Sequence, residues 1–171
     1  VRSTIAAVAR YPSYSSYSFG PGGLTPAIKA LVAANVAMYL VNIIVPAITI
    51  RLGLVPAAVF GELALWQPVT YMFLHDTGGV GHILINMLSL WMFGSQLALA
   101  WGEERFLRYY LVCGTGAGFL IASLPFLLGM IGIPSSISDV TGVTLGASGA
   151  VMGVLLAYSF TWPDRTIMLL F

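Results

Sequence analysis

The feature that most constrains what this chain can fold into is a set of long apolar runs without a single charge. Ala30–Ile50 is one, and residues 77–102, 109–138 and 140–163 are three more. A helix needs about 20 consecutive apolar residues to cross a bilayer core, so each run can hold a span. Composition agrees: 58% of residues are hydrophobic and 8% are charged, against about 25% charged in soluble domains. Lipid offers the backbone no hydrogen bonds, so runs of this length pair their own backbone groups as helices. The expected fold class is an all-α membrane protein, a polytopic transmembrane helix bundle.

Span one is expected at Ala30–Ile50 and span two at about Val80–Ala100. Span three falls within Tyr109–Ser138, bent near Pro125 and ended by Pro134. Span four falls within Val140–Pro163, and Thr166–Phe171 reads as the opening of a fifth span. Residues 1–25, rich in Tyr, Ser, Gly and Pro, read as a disordered cytosolic tail, and 26–171 as the membrane domain. Between spans one and two, Leu63–Leu74 is apolar but only 12 residues long. That length suits a half-embedded outer loop, with Trp66, Tyr71 and Phe73 at headgroup level.

Charge gives an orientation. Arg2, Arg10, Lys29, Arg105, Arg108 and Arg165 fall on one side of this arrangement, and Arg51 falls on the other. The excess of basic residues marks the cytoplasmic side, which places the N-terminus there. His82, Asn86 and Ser148 then all lie near the outer ends of their spans. A net charge of +1 gives no footprint for nucleic acid. Cys113 is the one cysteine, so no intramolecular disulfide forms. With no targeting segment visible, a bacterial inner membrane is the expected location.

Polar residues inside the spans carry the chemistry. His82 and Asn86 are one helical turn apart, and Ser89 continues their face. Such a stripe must face protein or water. It can be interhelical glue, worth about 0.6 kcal/mol per group. It can also donate to a developing oxyanion, worth about 3 kcal/mol per donor in a dry site. Ser148 stands in Gly146-Ala147-Ser148-Gly149. Gly146 lets the backbone approach closely, and unpaired amides at a helix start can also face an oxyanion. The same glycines allow a packing face, with Gly142/Gly146 and Gly149/Gly153 each spaced as GxxxG. His75, Asp76 and His82 make too weak a ligand set for a metal, and no cofactor is implied. A channel is a further reading of the polar stripe, but no span holds a carboxylate or lysine.

Several stretches together resemble the rhomboid intramembrane proteases. Residues 66–75, from Trp66-Gln67-Pro68 to Leu74-His75, are similar to that family's first outer loop. Residues 81–94, from Gly81-His82 through Asn86 to Gly94, resemble its second span, and 105–110 its third-span entry. Gly146-Ala147-Ser148-Gly149 matches its GxSG motif. The resemblance covers about residues 26–171. It departs from the usual pattern at Gln67, where Arg is common, near Ala98, where Glu is common, and in the wider spacing of His75 and His82.

The resemblance implies a rhomboid-like domain of which this chain holds four spans and the start of a fifth. It implies an intramembrane serine endopeptidase with Ser148 as nucleophile. His82, Asn86 and the Ser148 amide would form the oxyanion hole, with Gly146 shaping the motif backbone. Substrates would be single-pass membrane proteins in the lipid bilayer, cut where a helix unwinds. In that family the general base is a histidine on the sixth span, whereas this chain contains only His75 and His82. The chain is therefore expected to be truncated and, by itself, inactive. A non-proteolytic relative that binds membrane clients is the other reading. The oligomeric state is left open.

Overall fold

The computed structural model describes residues 23–132 and 140–165. The expected cytosolic tail up to residue 22, Pro134 and the start of a fifth span lie outside them. Among the described residues the chain is helical, with one isolated bridge, Leu54 to Thr144, as its only β pairing. Helix α1 runs Pro26–Ile44. Thr25 caps it, and Pro26 occupies its first turn, where the missing N–H costs nothing. A carboxylate oxygen of Glu103 accepts the Ala27 amide at 2.6 Å, satisfying another donor of that first turn. Span one was expected to reach Ile50. It stops at Ile44 because Pro46 drives the residue before it out of the helical region.

The chain then makes short helices, α2 at Ile48–Leu52, α3 at Pro56–Gly61 and α4 at Gln67–Thr70, the last continued by a 3-10 turn at Tyr71–Phe73. These short helices make up the loop that the sequence reading places between spans one and two. Trp66 stays exposed and donates its indole N–H to the Arg51 carbonyl at 2.9 Å. Tyr71, expected at headgroup level, is instead buried in the core. Its hydroxyl finds a partner inside the protein, so burial leaves no polar group unpaired. Gln67, the departure from the family pattern, is also buried. Its oxygen accepts the Val55 amide at 2.9 Å and its nitrogen reaches the Ile50 carbonyl at 3.5 Å. One neutral side chain thus ties the loop to itself with no charge to desolvate.

Span two is one continuous helix, Gly81–Trp101, as expected. It is made of α5 (Gly81–Ser89), a π-helical turn (Leu90–Gly94) and α6 (Ser95–Trp101). Gly102, at φ +88°, reverses the chain into α7, Glu103–Met130. This helix starts six residues before the uncharged run at Tyr109. Glu103 and Glu104 belong in its first turn, where carboxylates complement the helix dipole. Pro125 is accommodated inside it, and it ends at Met130. α1, the Gly81–Trp101 helix and α7 are long and apolar enough to cross a membrane. Three such helices mark a multi-pass integral membrane protein.

The run expected to hold a fourth span forms, among the described residues, only a shorter apolar helix. Helix α8 covers only Ser148–Thr161, 14 residues. Residues 140–147 are non-helical. They are held to the outer loop by Ala57 N to Val140 O at 2.9 Å and by paired bonds between Leu54 and Thr144 at 2.9 and 2.8 Å. Gly142 and Gly146 therefore form no helical packing face. Gly149 and Gly153 do: a Cβ on either would fall 2.7 Å from Ala117 or Cys113 of α7. Across from them, Gly114 and Gly118 of α7 lie against Met72 and Tyr71. Small residues on both helices let the backbones approach closely, the usual basis of helix association in lipid.

Gly118 gives a direct test of this packing. A methyl there would sit 2.7 Å from the Pro68 carbonyl oxygen, whereas one on Gly116 meets nothing within 4 Å. Gly118→Ala is expected to destabilise the protein by about 1–3 kcal/mol. Gly116→Ala should be neutral or stabilising by up to about 1 kcal/mol. Thermal unfolding of the two variants in the same detergent checks both.

Candidate active site

Ser148 is the first residue of α8 and is exposed. The first amides of a helix lack intrahelical partners, and no side chain caps this one. The amides of Ser148 and Gly149 are thus placed to bind an anion at the positive end of the helix dipole. Just before them Gly146 has φ +128°, a conformation L residues rarely adopt. That turn brings the chain against span two. The point a Cβ on Gly146 would occupy lies 2.8 Å from His82 Nε2, 2.9 Å from His82 Cε1 and 3.8 Å from Ser148 Oγ. Only a glycine leaves room for the imidazole there.

The structure therefore brings His82 of span two to the Gly146-Ala147-Ser148 turn, which the sequence places on a different span. Asn86 lies one turn further along α5 and is buried. Its Nδ2 donates to the His82 carbonyl at 2.8 Å. One of its two amide protons is thus spent on its own helix, and one remains.

His75, read from sequence as a loop-ordering group, is fully buried and stacks edge-on against His82, with ring centroids 5.1 Å apart. Neither of its ring nitrogens has a hydrogen-bond partner among the described residues. Burial, and then the neighbouring His82, lower its pKa from 6.5 to about 4, against a smaller opposing pull from the Phe73 backbone. The neutral ring therefore acts as packing behind His82. Its carbonyl accepts from Asn42 Nδ2 at 3.3 Å, and Asn42 Oδ1 in turn accepts from the Thr49 hydroxyl at 2.6 Å.

Sequence reasoning missed Asn42 and the placement of Tyr71. The Tyr71 carbonyl accepts the Gly146 amide at 3.0 Å, and its hydroxyl donates to the Gly114 carbonyl at 2.9 Å. Asn42 was visible as a polar residue in an apolar run, which should have asked for a buried partner. Nothing in the local sequence distinguishes Tyr71 from the interfacial aromatics around it.

A family profile described as the Rhomboid domain matches residues 62–171, from the outer loop through the Ser148 motif. The chain belongs to the rhomboid family. This rhomboid is 33% identical over 88 residues to Rhomboid protein 1, mitochondrial, of Saccharomyces cerevisiae, covering 52% of this chain and 23% of the relative. It is 34% identical over 91 residues to RHOMBOID-like protein 1 of Arabidopsis thaliana, covering 53% and 19%. It is 33% identical over 90 residues to the presenilin-associated rhomboid-like protein, mitochondrial, of Mus musculus, covering 53% and 21%. The chain thus spans less than a quarter of the length of each of these relatives. No solved structure matches it significantly. Two of the three relatives carry mitochondrial names, and none supports the bacterial membrane expected from sequence.

The buried His75 predicts a pH dependence. Its folded-state pKa of about 4 lies below the ordinary 6.5, so the unfolded chain takes up the proton first as pH falls. The stability it contributes is complete above about pH 6.5 and is lost progressively toward about pH 4. His75→Leu is expected to flatten that part of the profile, read by thermal unfolding across the pH range. An unchanged slope would assign it to other groups.

Proposed function

We propose that this rhomboid is an intramembrane serine endopeptidase that cuts transmembrane segments of single-pass membrane proteins. Ser148 is the nucleophile. Its Oγ attacks the scissile carbonyl carbon, the amine leaves, and water hydrolyses the resulting ester. One observation carries the reading: Ser148 is exposed at the start of α8, and the Gly146 turn lies between its hydroxyl and His82, a Cβ there falling 3.8 Å from Ser148 Oγ and 2.8 Å from His82 Nε2.

His82 and the Ser148 amide are the principal donors to the oxyanion, with the free N–H of Asn86 as a further one. Aimed at the developing charge in a dry site, such donors stabilise the transition state more than the substrate. Attack also requires a base within reach of Oγ. The rhomboid resemblance gives this role to a histidine on a sixth span, which would leave His82 free to donate. A scissile bond must lie in extended backbone to be attacked. Substrates with helix-breaking or small residues near the cut are therefore the favoured class.

The test is cleavage of a single-pass reporter by the complete protein in liposomes. Ser148→Ala is expected to reduce the rate by at least about a thousandfold. His82→Ala should reduce it by about a hundredfold. Cleavage that survives Ser148→Ala, or no cleavage by wild type where an active rhomboid cuts, would contradict the proposal and favour a client-binding protein.

A further inference from the structure

Tyr71 takes no part in the chemistry proposed above, yet it touches each segment that frames Ser148. Its side chain is 1% exposed. Its carbonyl accepts the Gly146 amide at 3.0 Å, two residues before Ser148. Its hydroxyl donates to the Gly114 carbonyl of α7 at 2.9 Å, reaching a residue 43 positions away. A Cβ on Gly149, the residue after Ser148, would lie 3.0 Å from the Tyr71 hydroxyl oxygen. A Cβ on Gly118 would lie 2.8 Å from ring atom Cε1. The ring is thus a wedge between α7 and the first turn of α8. It is pinned at one end by its hydroxyl and at the other by its own backbone.

We propose that Tyr71 is a positioning residue that sets where Ser148 Oγ sits relative to His82. The inference rests on the protease reading. Gly146 offers no side chain to anchor its turn, so the hydrogen bond from its amide to the Tyr71 carbonyl is the tie to the outer loop nearest Ser148, beyond the Leu54–Thr144 and Ala57–Val140 bonds. On the other side of Ser148, Gly149 meets the Tyr71 hydroxyl, which α7 holds in place. Ser148 therefore hangs between two points that both belong to Tyr71. Burial raises the phenol to about 12, so it remains a donor to Gly114 at any working pH. A displacement of about 1 Å between nucleophile and partner groups can cost about a hundredfold in rate, which is the lever Tyr71 controls.

Tyr71→Phe separates this role from core packing, because it keeps ring and carbonyl and removes only the hydroxyl anchor. In the complete protein, normalised to folded molecules, kcat is expected to fall about ten- to a hundredfold. KM should stay within about twofold. The rate at which a fluorophosphonate labels Ser148 should fall by a similar factor to kcat, since that probe needs no transmembrane substrate. Tyr71→Leu empties the wedge and risks the fold, so the conservative variant carries the test. If Tyr71→Phe keeps wild-type kcat and labelling rate while wild-type Ser148 is labelled, the positioning role is overturned and the protease reading stands. A loss that disappears on normalising to folded protein also overturns it. If wild-type Ser148 is not labelled at all, the protease reading itself has failed.

Discussion

The hydrogen bond from the Gly146 amide to the Tyr71 carbonyl joins the two parts of the chain on which the site depends. On one side is the outer loop, locked by Gln67 and by the Tyr71 hydroxyl on α7. On the other is the turn that opens α8. This bond, the Leu54–Thr144 bridge and the Ala57–Val140 bond together set the register of the stretch 140–147 against the loop. Without them Ser148 would have no defined place opposite span two. The turn itself is possible because Gly146 tolerates φ +128° and leaves room for the His82 ring.

The close approach of α7 and α8 supports the same arrangement from below. Lipid supplies no hydrophobic drive between helices, so association depends on backbone proximity and buried hydrogen bonds. Both are present at one interface. Gly149 and Gly153 admit α7, and the Tyr109 hydroxyl donates to the Gly153 carbonyl at 2.8 Å. The outer loop closes over this interface, with Pro68 and Tyr71 against Gly118 and Met72 against Gly114.

Much of this was legible in the sequence, and the parts that were not have physical reasons. Uncharged runs reported the spans, because burial of charge in lipid is costly whatever the packing. Their ends were less clear, since absence of charge says nothing about backbone geometry. Pro46 ended span one early, Glu103 and Glu104 began α7 inside a charged segment, and residues 140–147 left the helix although uncharged. The pairing of His82 with the Ser148 motif was anticipated through its place on the chain and through the family resemblance. The burial of Tyr71 and His75 was not. An aromatic or imidazole in an outer loop looks the same in sequence whether it meets headgroups or plugs a gap between helices. The partners that decide the matter, Gly114 and His82, lie on other elements.

On the proposed reading, the fold sets one serine at a helix start across the Gly146 turn from one imidazole. The most direct test is a structure of the complete protein after reaction with a fluorophosphonate. The account predicts phosphorus bonded to Ser148 Oγ, with the phosphoryl oxygen within hydrogen-bond reach of His82 and the Ser148 amide. An adduct on another residue, or a phosphoryl oxygen turned away from His82, would contradict it.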